Sequence, residues 1–139
     1  VTLAAVMELL TETLETAFSG SDPKIEVTPG MNFNPTPPAI DIYPADPFRT
    51  TEEAGYGEVS GALNFVVRAR VTTAEFDGAQ DLLLRLMDDE DDLCLADALL
   101  DAMDVEVDGP SGFTQYIDSG RAGAWLGVQW TVKVLNASS

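Results

Sequence analysis

The sequence predicts an α+β domain of two layers: a mainly antiparallel sheet with two main helices packed on one face. Two observations carry this. Leu63–Val71 and Leu126–Val134 alternate apolar and polar residues, the period of a strand with one buried face. Leu3, Val6, Met7, Leu10, Leu14 and Phe18 instead fall on one stripe at helical spacing, as do Phe76, Ala79, Leu83, Leu86 and Met87. With 139 residues, 45% of them apolar, the chain suits a single domain over residues 1–139 with a real core.

The elements follow in order. Thr2 is a fair N-cap for the first helix, Glu8, Glu12 and Glu15 form its polar side, and Gly20 is placed to end it. Ile25 and Val27 suggest a short strand. From Thr28 to about Ser60 the chain is expected to be irregular, because Pro29, Pro35, Pro37 and Pro38 interrupt regular structure. Ile40 and Ile42 alternate with Asp41 and Tyr43 as a strand that Pro44 and Pro47 close. Ala45–Glu58 is polar and contains glycine and is expected to be a mobile loop, and Pro44–Ser60 is expected to be mobile in the isolated subunit and to order against a neighbour.

The long strand Leu63–Val71 comes next, with Asn64, Arg68 and Arg70 on its polar face and Val66 as the one apolar exception there. Thr72-Thr73-Ala74-Glu75 reads as a capping box opening the second helix. Five carboxylates, Asp88-Asp89-Glu90-Asp91-Asp92, oppose the helix dipole and should stop it. A short third helix is expected around Leu95, Leu99, Leu100 and Met103, with Asp92 as N-cap. Val105 and Val107 suggest a brief strand, 108–112 a turn, and Tyr116 and Ile117 another strand broken by Ser119-Gly120. The last strand places Leu126, Val128, Trp130, Val132 and Val134 on one face, and the tail 136–139 is polar.

Charge narrows the function classes. There are 24 acidic residues against 7 basic ones, a net charge of -17. Such a surface repels phosphates, so direct nucleic-acid binding and adhesion to anionic membranes are not expected. No apolar stretch reaches membrane-spanning length, and no basic region precedes Val1–Ala5 as a secretory signal would require, so a cytoplasmic chain is expected. Without histidine there is no Ser-His-Asp or Cys-His set. Neither a Walker loop nor a dinucleotide fingerprint occurs, so no enzyme activity and no cofactor are expected. The lone Cys94, in Leu93-Cys94-Leu95, reads as a small buried hydrophobe. Glu75–Asp108 holds thirteen acids and one base, Arg85. Carboxylates suit calcium, but EF-hand spacing is absent, and a solvated charged loop is the expectation over a metal site. Trp130 is expected in the core. Trp125 starts the opposite face, which leaves core and interface both open. Arg68 and Arg70 read either as a solvated face or as docking charges between acidic subunits.

Three stretches resemble a known family. They are the opening helix Leu3–Phe18 with its proline-rich passage into Ala39-Ile40-Asp41-Ile42-Tyr43, the unit from Leu63–Val71 to Leu82-Leu83-Leu84-Arg85-Leu86, and the ending from Ser119-Gly120-Arg121 through Trp125 to Val134. This layout is similar to the tail terminator (tail completion) proteins of long-tailed bacteriophages, of the lambda type. The resemblance is one of element order, and other virion joining proteins share much of it. It implies a structural protein of the virion tail, assembled in the host cytoplasm. Such a protein forms a ring, typically six-fold, that caps the tail tube, ends its growth and meets the head connector. The implied partners are a second copy of the chain, the tail-tube protein and the connector protein. On that reading Arg49, Arg68, Arg70, Arg121 and Trp125 are candidates for the subunit interface. Asp88, Asp89, Glu90, Asp91 and Asp92 either line the ring's hole, where they would keep DNA sliding, or face solvent outside it. The reading from a different class is a monomeric acidic ligand- or calcium-binding module.

Overall fold

The two alternating segments of the sequence lie side by side, and their register explains why. Phe65 pairs with Val132, Val67 with Trp130 and Ala69 with Val128, so both apolar sets meet on one face. The computed structural model describes residues 3–20, 24–30, 38–54, 58–72, 78–103, 105–117 and 124–134. The elements in chain order are α1 (Leu3–Ala17), β1 (Glu26–Pro29), β2 (Ala39–Ala54), β3 (Glu58–Thr72), α2 (Ala79–Met87), α3 (Leu95–Ala102), β4 (Val105–Ile117) and β5 (Ala124–Val134). They form one α+β domain whose five-stranded sheet has the order β1-β2-β3-β5-β4. The β1–β2 pair is parallel and the other pairs are antiparallel.

The helices cover the apolar face. α1 packs on β1 and β2, α2 on β3 and β5, and α3 on β4, with α3 also touching both other helices. Val6, Leu10, Leu14 and Phe18 of the α1 stripe are buried, against Ile40 and Ile42 of β2 among others. Leu82, Leu83, Leu86, Leu95 and Leu99 close the core over Phe65, Val67, Trp130 and Val132. Each fully buried Leu, Ile or Phe contributes about 1.5–3 kcal/mol. Cys94 is buried as a free thiol.

Several expectations need correction. The expected loop Ala45–Glu58 is strand at its described residues, and residues 55–57 of it lie outside them. β2 continues through it to Ala54 and pairs with β3 as far as Glu58. Pro44 and Pro47 do not end the strand, because the register shifts between Pro44 and Arg49 and a proline is tolerated at a bulge. The expected turn at 108–112 and the two brief strands around it are one strand, β4. Its pairing with β5 slips between Asp108 and Ser111 and again between Ser111 and Thr114. Gly109 and Gly112 take φ of 114° and 69°, which lets the chain bulge without leaving the sheet, and the Gly109–Pro110 peptide is cis.

The helix caps also differ. α2 starts at Ala79 with Gly78 at its N-cap, and Thr72 of the expected capping box is the last residue of β3. The rest of that box lies outside the described residues, as do Thr2 and the side chain of Leu3. α3 is capped by Cys94, not Asp92, and Leu100 is exposed instead of joining its buried stripe. The expected short third helix, α3, has eight residues beside the nine of α2, so three helices cover the sheet.

Candidate functional site

On the sheet's second face, β2, β3, β5 and β4 place polar residues in rows. No described helix packs there. One row runs Asp41, Arg68, Gln129, Ser111; the next runs Tyr43, Val66, Thr131, Asp108; a third runs Asn64, Lys133, Glu106. Alternation puts these side chains opposite the core, and β2–β3 pairing sets Asp41 beside Arg68.

The result is a charge cluster. Arg68 Nε donates to Asp41 Oδ1 at 3.2 Å and Arg68 Nη2 donates to Oδ2 at 2.6 Å. Arg70 Nη2 donates to the same Oδ2 at 3.3 Å. The Asp41 side chain is fully buried, Arg70 is 9% exposed and Arg68 is 28% exposed. The Arg68 guanidinium also lies over the Tyr43 ring, 5.4 Å from its centroid. The two guanidiniums share one carboxylate, and Arg68 is held in place by a two-toothed grip and a ring face. Next to it a hollow of about 370 Å³, lined by Asn64, Glu106, Asp108, Thr131 and Lys133 among others, opens on the same face.

The helix layer is the opposite in character. Glu8, Glu12, Glu15, Asp81, Asp97 and Asp101 are all exposed. The α2–α3 connection carries Asp88, Asp89, Glu90 and Asp92, exposed, and Asp91, half-buried. Asp91 has a structural job. Its Oδ1 accepts from Leu93 N at 2.9 Å and its Oδ2 accepts from Arg85 Nε at 3.1 Å. The Leu93 amide first, then the Arg85 side chain, holds the Asp91 carboxyl below its ordinary range. Asp88 Oδ1 accepts from Glu90 N, so part of the acidic run builds a turn. Among the described residues, no three His, Cys, Asp or Glu side chains converge in a way that could hold a metal ion.

The remaining candidates are scattered. Arg49 sits on β2 opposite Leu63, where β2 and β3 leave the sheet. Trp125 lies near the start of β5, opposite Thr72 and Tyr116, and its side chain is outside the described set. Arg121 lies outside the described residues. The structure therefore brings Arg68 and Arg70 together but not Arg49 with them. It also gives both arginines a partner inside the chain, Asp41, to which the sequence does not point. The signal is present in Ile40-Asp41-Ile42-Tyr43, yet its use requires the β2–β3 register, 27 residues apart.

Beyond Leu63, five residue pairs from Thr50–Ala62 to Ala54–Glu58 continue as a two-stranded arm. Among the described strands, neither β1 nor β5 accompanies it. Five pairs extend roughly 17 Å.

Compared with known proteins, the chain matches no family model and no curated protein. No helix among the described residues is long and apolar enough to cross a membrane.

Proposed function

We propose that this chain is a phage tail terminator: a structural, non-catalytic subunit that forms a ring, caps the tail tube and joins it to the head connector. The observation that carries the reading is the β2–β3 arm. A two-stranded ribbon is marginal alone in water, and among the described strands the arm has no third strand beside it, so another chain would be a source of stability for it. The order of elements supports the same reading. α1, the passage into β2, the β3–α2 unit and β5 stand in the sequence on which the resemblance rests. The arm suits a subunit of another virion joint or of the tube as well, and only a terminator controls tail length. The test is electron microscopy of virions made without this protein. Tails of uncontrolled length are the expected result, and tails of normal length joined to heads would sink the reading.

A further inference from the structure

We infer that the groove between α1 and α3 docks a basic amphipathic helix of a different protein. One apolar side chain of that helix sits beside Leu9, and its lysines or arginines face Glu12 and Asp101. The inference does not rest on the tail role.

The groove starts from helical spacing. Leu9, Glu12, Thr13 and Thr16 are three and four residues apart, so they share one face of α1 beside its buried stripe. Across from them stands Ala102, in the last turn of α3. Its small side chain leaves a hollow of about 320 Å³ between the two helices. Leu9 is 50% exposed at this hollow, so an incoming apolar side chain would cover it. From Leu9 to Thr16 the groove runs roughly 10 Å, two turns of a helix. A third helix lying along it presents an anchor at one position and cations three, four and seven residues on.

Charge decides the occupant. α1 carries Glu8, Glu12 and Glu15, α3 carries Asp97 and Asp101, and neither helix has a basic residue. Glu15 and Asp101 stand in the last turns of their helices, where the negative end of the dipole favours a cation. That face is therefore electrostatically uncomplemented by its own helices. Thr13 donates its hydroxyl proton to the Leu9 carbonyl at 2.8 Å, which leaves its oxygen as an acceptor beside the Glu12 carboxylate. Lysine and arginine side chains carry donors and no acceptors, so they are the matching groups. Phosphate-bearing surfaces are repelled. A second copy is a poor source of the cations. Of seven basic residues in the chain, Arg68 and Arg70 are held by Asp41 and Arg85 by Asp91.

The probe is a synthetic amphipathic helix of leucine and lysine, titrated into the purified full chain at physiological salt and followed by amide NMR. Shifts centred on Leu9, Thr13, Thr16 and Ala102 are expected. Leu9→Asn changes no charge and should lower the affinity about tenfold. Leu84→Asn, at an exposed leucine on α2, should leave it unchanged. Ala102→Lys should abolish binding while the chain stays folded, because a lysine in that turn complements the α3 dipole. A peptide of the same composition with its order scrambled should bind at least tenfold more weakly. Absence of binding overturns the inference. So do shifts centred on Asp88–Asp92, or equal affinity for the scrambled peptide, since either reduces the attraction to charge alone. No readout involves tails, so this outcome and that of the terminator reading are separate.

Discussion

Asp41 is buried with no exposure and faces two guanidiniums, so it behaves as the keystone of the sheet's polar face. Removing one partner of a buried charge group leaves the other uncompensated, which costs about 3–5 kcal/mol. Asp41→Ala should destabilise by that amount in chemical denaturation, because the nearly buried Arg70 would keep its charge without this carboxylate. A loss under about 1 kcal/mol would show that the cluster is dispensable for folding. Asp91 poses a different test. Its folded-state pKa is depressed, so its contribution is present above the unfolded value and is lost as pH falls through the folded one. The carboxyl followed by NMR should titrate below the ordinary aspartate range. Arg85→Ala should move that midpoint up while leaving it depressed, since the Leu93 amide still donates.

Among the elements, β4 and β2 show where periodicity stops being a guide. α1, β3 and β5 are legible because each keeps one period along its length. β4 inserts an extra residue twice and β2 bulges between Pro44 and Arg49, and every insertion flips the apolar set and breaks the alternation. A reader counting by twos sees a turn and a loop. The Arg68 and Arg70 face is legible by the same counting, but their shared partner on β2 is a matter of register, which local pattern does not encode. The bulge in β4 depends on Gly109. A Cβ there would lie 3.2 Å from the Gln129 carbonyl oxygen, and φ is 114°. Gly109→Ala should therefore cost about 1–3 kcal/mol on denaturation. The arm makes the opposite prediction. Replacing residues 51–61 by Asn-Gly should leave core stability within about 1 kcal/mol, since among the described strands the backbone of this segment pairs only within the arm. The same truncation should abolish assembly in light scattering or on tails, and unchanged assembly would remove the arm from the mechanism.

For the whole molecule, the dominant fact is the charge of -17 and its uneven placement. Self-repulsion among the exposed carboxylates opposes the compact state and is screened by salt. Between about 0.02 and 0.5 M NaCl the Debye length shrinks severalfold, so the Tm of the monomeric chain should rise. The rise can be followed by thermal melts across a salt titration. A Tm that falls with salt would mean that attractive surface pairs, not repulsion, dominate this fold.

The two borders of the sheet carry a further consequence. β1 offers four residues and ends on Pro29, which has no amide hydrogen to donate. β4, at the other border, slips register twice, so its outward backbone groups present no regular ladder. Neither border is a good template for an incoming strand. Cross-β growth along these two borders is therefore disfavoured.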